Sequence, residues 1–191
     1  MVTYNHEKFI EQAIHSVIMQ RTNFRYELII SDDCSEDATP DIIRRWQRKY
    51  PDIIKPIFNK SNIGAMSNFS RIINTCSGRY TAILDGDDYW TVPDKLQKQY
   101  DFMEKNSEFA ICFHKVMAIY ENGNKPPYSM PSNFDSSDRL SIKDLFRGYF
   151  MATSSVLFRT GLFSEWPQWY EQLPFGDRPL HMLNCHYGGD I

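Results

Sequence analysis

Long apolar runs are absent from this 191-residue chain; nothing approaches the ~20 consecutive apolar residues of a membrane-spanning helix. No secretory leader is visible, so the glycosylation sequons at Asn59 and Asn68 carry little weight. Positive charge is not in excess either. Lys and Arg number 21 against 24 Asp and Glu, the net charge is −3, and there is no basic stripe to follow a nucleic-acid backbone. A phosphate-bearing partner would therefore arrive with a cation. Cysteine is sparse: Cys34, Cys76, Cys112 and Cys185 form no CxxC pair and no metal-ligand spacing, so four free thiols in a reducing compartment are expected. Repeats and low-complexity tracts are missing too. The expectation is a cytoplasmic protein without a nucleic-acid partner. Attachment to the inner face of a membrane stays open, as does the oligomeric state.

Core material is plentiful, with 42% apolar and 15% aromatic residues, enough for one α/β domain. Ile10, Ala13, Ile14, Val17 and Ile18 recur at helical spacing. "YELIIS" reads as a strand ending before Asp32 and Asp33, and Thr39-Pro40 suits the start of a helix. "IKPIF" is a weaker strand whose proline suggests a sheet edge, and Asn62-Ile63-Gly64 is a break before the helical set Met66, Phe69, Ile72 and Ile73. "RYTAIL" delivers the chain to Asp85, and Pro93 opens another helix. "FAICFHKVMAIY" is long enough for a strand, and residues 126–137 read as a loop. "SIKDLFRG" is a serine-capped helix, "ATSSVLFR" a strand, and a last helix starts near Pro179. Alternating strands and helices imply a mainly parallel sheet, with ligands at the C-terminal ends of its strands. Asp32, Asp33, Asp85, Asp87 and Asp88 all follow strand ends.

The stretch "AILDGDDYWTVPDKL" places three carboxylates within four residues, Asp85, Asp87 and Asp88. Turn chemistry needs only one aspartate. A calcium loop starting at Asp85 fails, because Trp90 stands where it needs glycine and Leu96 where it needs glutamate. An aspartyl phosphatase is a distant alternative, since "ILDGDD" continues with Tyr89 in place of the usual Gly-Thr. A hard divalent cation bridging carboxylates and a diphosphate fits best.

"MVTYNHEKFIEQAIHSVIMQ", "ELIISDDCSEDAT", "NIGAMSNFSRIINTCSGRYTAILDGDDYW" and "PDKLQKQYDFMEKN" together resemble, in order and spacing, the family 2 glycosyltransferases of GT-A fold. The form of the third and fourth stretches is similar to the bacterial branch that acts on cell-surface polysaccharides. The resemblance implies a Rossmann-like three-layer α/β/α domain, with a nucleotide-sugar-binding half (1–106) and an acceptor-side half (107–191). It implies inverting transfer from a UDP- or dTDP-linked donor to a glycan or lipid-linked acceptor, aided by Mn²⁺ or Mg²⁺.

Roles follow from the same resemblance. Thr3 and Tyr4 would hold the nucleobase, and Asp33 would accept its imide N–H. Asp85 would contact the ribose, and Asp87 or Asp88 the metal, the choice between them staying open. Asp177 in "PFGDRPL" would be the catalytic base, although Gly176 replaces the family's glutamate and a helix-cap role is the competing reading. Trp166, Trp169 and Tyr170 would form either a sugar platform or a packing cluster. The chain carries only Met1 and Val2 of the family's first strand and stops at "HYGGDI". A domain truncated at both ends is therefore expected, and the missing part of that strand should cost stability or leave a gap that another segment must fill. A non-catalytic nucleotide-binding homologue is the second reading.

Overall fold

The computed structural model describes residues 1–132, 139–148 and 150–191, so the last part of the expected 126–137 loop lies outside the described residues. Three strands, β1 (Val2–Thr3), β2 (Leu28–Asp32) and β3 (Ile54–Phe58), form a parallel sheet in the order β1-β2-β3. Every residue of β2 is buried, as suits a central strand covered on both faces. Pro56 is tolerated because β3 lies at the sheet edge, as expected. Helices α1 (Ile10–Ile18) and α2 (Thr39–Lys49) make the crossovers, and α3 (Ala65–Thr75) leads to β4 (Tyr80–Ala82).

A second three-stranded sheet has the order β4-β8-β5, with β5 at Ile111–Cys112 and β8 at Leu157–Arg159. Here β8 runs antiparallel to both neighbours, so the parallel character belongs to the first half of the chain. Among the described residues the two sheets are joined by a parallel bridge between Val2 and Asp85. The "FAICFHKVMAIY" stretch is not one strand. It breaks into β5 and β6 (Val116–Ala118), and β6 turns at Gly123 (φ 62°) into β7 (Tyr128–Met130). The expected 126–137 loop thus begins with a strand. "ATSSVLFR" is likewise shorter than expected: Thr153–Ser155 is a 3₁₀ turn and only Leu157–Arg159 is strand.

Helix α4 is Lys95–Lys105, and α5 (Ile142–Arg147) carries a reciprocal cap between Ser141 and Asp144. The last helix, α6 (Asp177–Gly188), begins at Asp177. One core cluster gathers Ile10, Ile14, Ile30, Ile43, Leu84 and Leu96 beneath α1, α2 and α4. The other gathers Phe69, Ile111, Leu145, Val156, Phe158 and Leu180 around α3, α5 and α6. Each fully buried Ile or Leu contributes roughly 1.5–3 kcal/mol. Between the two sheets lies an apolar cavity of about 510 Å³. All four cysteines are free.

Candidate functional site

The bridge between Val2 and Asp85 sets the site, because it brings the end of β1 against the acidic loop. Gly86 N–H donates to Val2 O at 2.9 Å and Asp33 N–H to Thr3 O at 3.0 Å. Thr3, Asp33 and Asp85 therefore share one end of the sheets. The approach is close: a Cβ on Gly86 would lie 2.7 Å from both Thr3 Oγ1 and His6 Nδ1. Those two atoms are buried without a hydrogen-bond partner, and they line the floor beside the carboxylates. Tyr4, one residue on, leaves its ring 42% exposed.

Neighbouring loops are clasped by their own polar groups. Asn5 N–H donates to Ser35 Oγ, Glu36 N–H to Asn5 Oδ1, and His6 N–H to Thr39 Oγ1. Asp32 accepts the Ser35 hydroxyl at 2.5 Å, so its carboxylate shapes this turn and does not face the crevice. Asp33 is 3% exposed and accepts Asn59 Nδ2 and Ile63 N–H at 2.9 Å and Gly64 N–H at 3.0 Å. It pins the 59–64 loop from below. Asn62 and Gly64 (φ 88°) form the turn expected of them, with Gly64 N–H also bonded to Asn62 Oδ1.

Sequence reasoning missed the polar layer beneath that loop. Asn68 accepts from Ser31 Oγ and Asn59 Nδ2, while Arg71 donates to Asn59 Oδ1 at 2.6 Å. The available signal was Asn68 itself, a buried amide beside Phe69 on an otherwise apolar stripe.

The acidic loop concentrates like charge. Burial pushes the Asp85 carboxyl up to about 7, with Asp88, Asp87 and Asp177 adding to it and the Met1 ammonium opposing. Burial also raises Asp88, whose hydrogen bond with Ser154 opposes the shift while Asp87 adds to it. Asp87 is exposed at the rim. Trp90 closes the loop from inside, with its Nε1–H on Ser154 O at 2.8 Å, a structural role. Among the described residues no three His, Cys, Asp or Glu side chains converge as a complete cage for an ion.

Asp177 joins this cluster from the second half of the chain. It is the first residue of α6 and does not cap it; its carboxylate accepts Thr153 Oγ1 at 2.9 Å and the Arg178 N–H at 2.8 Å. Gly176 has a packing reason, since a Cβ there would meet Tyr170 Oη and Met66 Cε at 2.8 Å. The Tyr170 hydroxyl donates to Gly176 O. Tyr170 is fully buried and Trp166 packs on it at 4.2 Å while donating to Asn74, so these two are packing residues and Trp169 alone is exposed.

Residues 1–166 match Glycosyl transferase family 2, and the chain belongs to that family. An uncharacterized protein of Mycobacterium tuberculosis is 40% identical over 194 residues, covering 100% of this chain and 54% of that protein. The putative teichuronic acid biosynthesis glycosyltransferase TuaG of Bacillus subtilis is 38% identical over 117 residues, 61% of this chain and 45% of that protein. The chain spans about half the length of these relatives. Among solved structures, S. aureus TarS in complex with UDP superposes with a TM-score of 0.69 at 21% identity, over 95% of this chain and 52% of that one. A Pyrobaculum calidifontis mannosyltransferase in complex with GDP-Man and Mn²⁺ gives 0.66 at 16%, over 98% and 51%. The fold is GT-A. No helix among the described residues is long and apolar enough to cross a membrane.

Proposed function

We propose that this domain transfers a sugar, with inversion, from a nucleoside-diphosphate donor to a hydroxyl of a glycan or lipid-linked acceptor in cell-surface polysaccharide synthesis. One observation carries the reading: Asp87, Asp88 and Asp177, drawn from two halves of the chain, converge on the Asp85 carboxyl, which burial first and then their charges push up. Folding gains nothing from that repulsion, whereas a cation on a diphosphate removes it.

The residues fit such a cation in part. Asp87 and Asp88 offer hard oxygen donors at the rim, and phosphate and water oxygens would complete the shell of Mn²⁺ or Mg²⁺ in the absence of a protein cage. When bound, the ion neutralises charge developing on the leaving diphosphate. Tyr4 offers a ring face to the base, and Thr3 Oγ1 is a free polar atom beside it. Asp85, bridged to Val2 of β1, offers its carboxylate to a ribose hydroxyl. Asp33 acts on the base pocket, with the spare lone pairs of its carboxylate left after the loop amides. Asp177, held by Thr153, takes the acceptor hydroxyl's proton as that oxygen attacks the anomeric carbon.

A relative named as a dTDP-rhamnosyl transferase supports a dTDP donor over GDP. Calorimetric titration of UDP, dTDP and GDP, with and without Mn²⁺, on wild type and Asp87→Asn tests it. Metal-dependent binding of one diphosphate, lost in the variant, is expected. A folded protein that binds none of the three would overturn the reading.

A further inference from the structure

Helix α6 carries a polar stripe into an apolar core. Asp177, His181 and Asn184 stand at i, i+4 and i+7, so they share one face of the helix. The helix packs on β5, β8 and α5, and its Leu180 and Cys185 belong to the second core cluster. His181 is fully buried and Asn184 is 1% exposed. A core needs no histidine and no amide at such positions.

Neither nitrogen of the His181 ring has a hydrogen-bond partner among the described residues, and neither does Asn184 Nδ2. Burial lowers the His181 pKa against the pull of the Asp177 carboxylate, so the ring is neutral. A neutral imidazole offers one N–H and one lone pair, and leaving both unmet in a core is costly. The stripe itself answers both needs. Helical side chains lean toward the helix N-terminus, so the His181 ring lies over the turn that starts at Asp177, and Asn184 leans on His181. The Asp177 charge is felt by Asp85 across the crevice and by His181 beneath, which places the carboxylate between them. Thr153 Oγ1 holds its Oδ2, while Oδ1 rests on the adjoining Arg178 amide. A small turn of the carboxylate brings it onto the imidazole N–H. Arg178 Nε is unpartnered as well, but its guanidinium is drawn to α5, where it donates to Leu145 O.

We propose that His181 is a positioning residue for the base: its N–H holds the Asp177 carboxylate, and the Asn184 amide, donating to the other ring nitrogen, fixes which nitrogen carries that N–H. Together with the Thr153 hydroxyl, the imidazole holds the carboxylate at two points. One of its lone pairs then stays aimed at the acceptor hydroxyl. The acceptor's proton ends on Asp177, and the imidazole keeps its own. The inference rests on Asp177 being the base of the proposed transfer.

Two measurements on the full chain test it. The first needs no turnover: nitrogen-resolved NMR of the His181 ring. Wild type should show one slowly exchanging ring N–H, moved downfield by its charged acceptor, and Asp177→Asn should move it upfield. A ring N–H that ignores Asp177→Asn, or exchanges too fast to be seen, overturns the proposal. The second is steady-state transfer. His181→Phe keeps the bulk and loses the N–H, so kcat should fall by about 10–100-fold while the donor KM stays unchanged. His181→Gln restores an N–H and should recover much of that loss. A Gln variant no better than Phe, or a change in KM alone, overturns the proposal. The NMR arm decides the matter on wild type and Asp177→Asn even where His181→Phe does not fold. A wild-type chain that transfers no sugar counts against the proposed function, and the NMR response then still decides whether His181 holds Asp177.

Discussion

The Asp33 carboxylate accepts the amide of Gly64 at 3.0 Å across 31 residues of sequence, and with the Ile63 amide it fixes the height of that loop over the site. Asp33→Ala leaves the Ile63 amide without an acceptor and takes one of two acceptors from the Gly64 amide and the Asn59 side chain in a part-buried setting. A loss of about 2–4 kcal/mol in urea unfolding is expected. Faster amide exchange at Ile63 and Gly64 should accompany it. If stability falls while those two amides keep their protection, the loop is held by something else.

Gly86 is confined by Thr3 Oγ1 and His6 Nδ1. Gly86→Ala should cost about 1–3 kcal/mol, because the two loops must part to admit a methyl group. Thr3→Ala introduced together with Gly86→Ala should return part of that loss. A double-mutant cycle reads the coupling, and strict additivity would show that Gly86 matters for some other reason.

Asp87 stands among like charges, with Asp85 and Asp88 on either side of it. In metal-free buffer above pH 7, Asp87→Asn should raise the melting temperature by a few degrees, since one repulsive charge is gone. The same variant should lose any stabilisation that Mn²⁺ gives to wild type. Scanning calorimetry with EDTA and then with Mn²⁺ measures both halves of the expectation.

Lys95 is 4% exposed, its Nζ has no hydrogen-bond acceptor, and it lies 4.0 Å from the centre of the Trp90 ring. Burial lowers its pKa to about 7, against an unfolded value of 10.5. Between those values the unfolded chain binds the extra proton, so wild-type stability rises with pH from about 7 to 10.5 and is reduced below 7. Lys95→Met keeps the stem and removes the charge. It should be more stable than wild type at pH 6 by about 1–3 kcal/mol, after losing a cation–π contact of roughly 1 kcal/mol, and its pH profile should be flatter. Denaturant midpoints at pH 6 and pH 9 decide it.

Asp177→Asn should lower turnover by at least about 10²-fold while leaving diphosphate affinity unchanged. The amide still accepts from Thr153, so the turn it anchors should survive. Equal loss of binding and turnover would place Asp177 in the architecture of the donor pocket.

Periodicity made the first half of the fold legible. The apolar stripes of α1, α2 and α3 and the unbroken "LIIS" of β2 each have one physical solution, a helix on a buried sheet. The carboxylate set was legible for the opposite reason: Asp85, Asp87 and Asp88 contradict what folding prefers. Direction of side chains was not. Asp32 and Asp33 are adjacent aspartates after one strand, yet Asp32 turns to Ser35 and Asp33 to Gly64, because partners 3 and 31 residues away compete for them. The broken "FAICFHKVMAIY" stretch failed for a similar reason. Its apolar content fits a strand, but pairing to β8 ends at Cys112 and pairing to β7 starts at Val116.

The 3₁₀ turn at Thr153–Ser155 touches both ends of the acidic cluster. Ser154 bonds the Asp88 side chain and receives the Trp90 indole, while Thr153 holds Asp177. Two residues from the second half of the chain, Thr153 and Ser154, thus serve as a common mount for groups that arrive from opposite directions. A shift of this turn by one ångström displaces both carboxylates together, so the two cannot be adjusted independently. Selection acting on either side of the crevice has to pass through the same hinge pin.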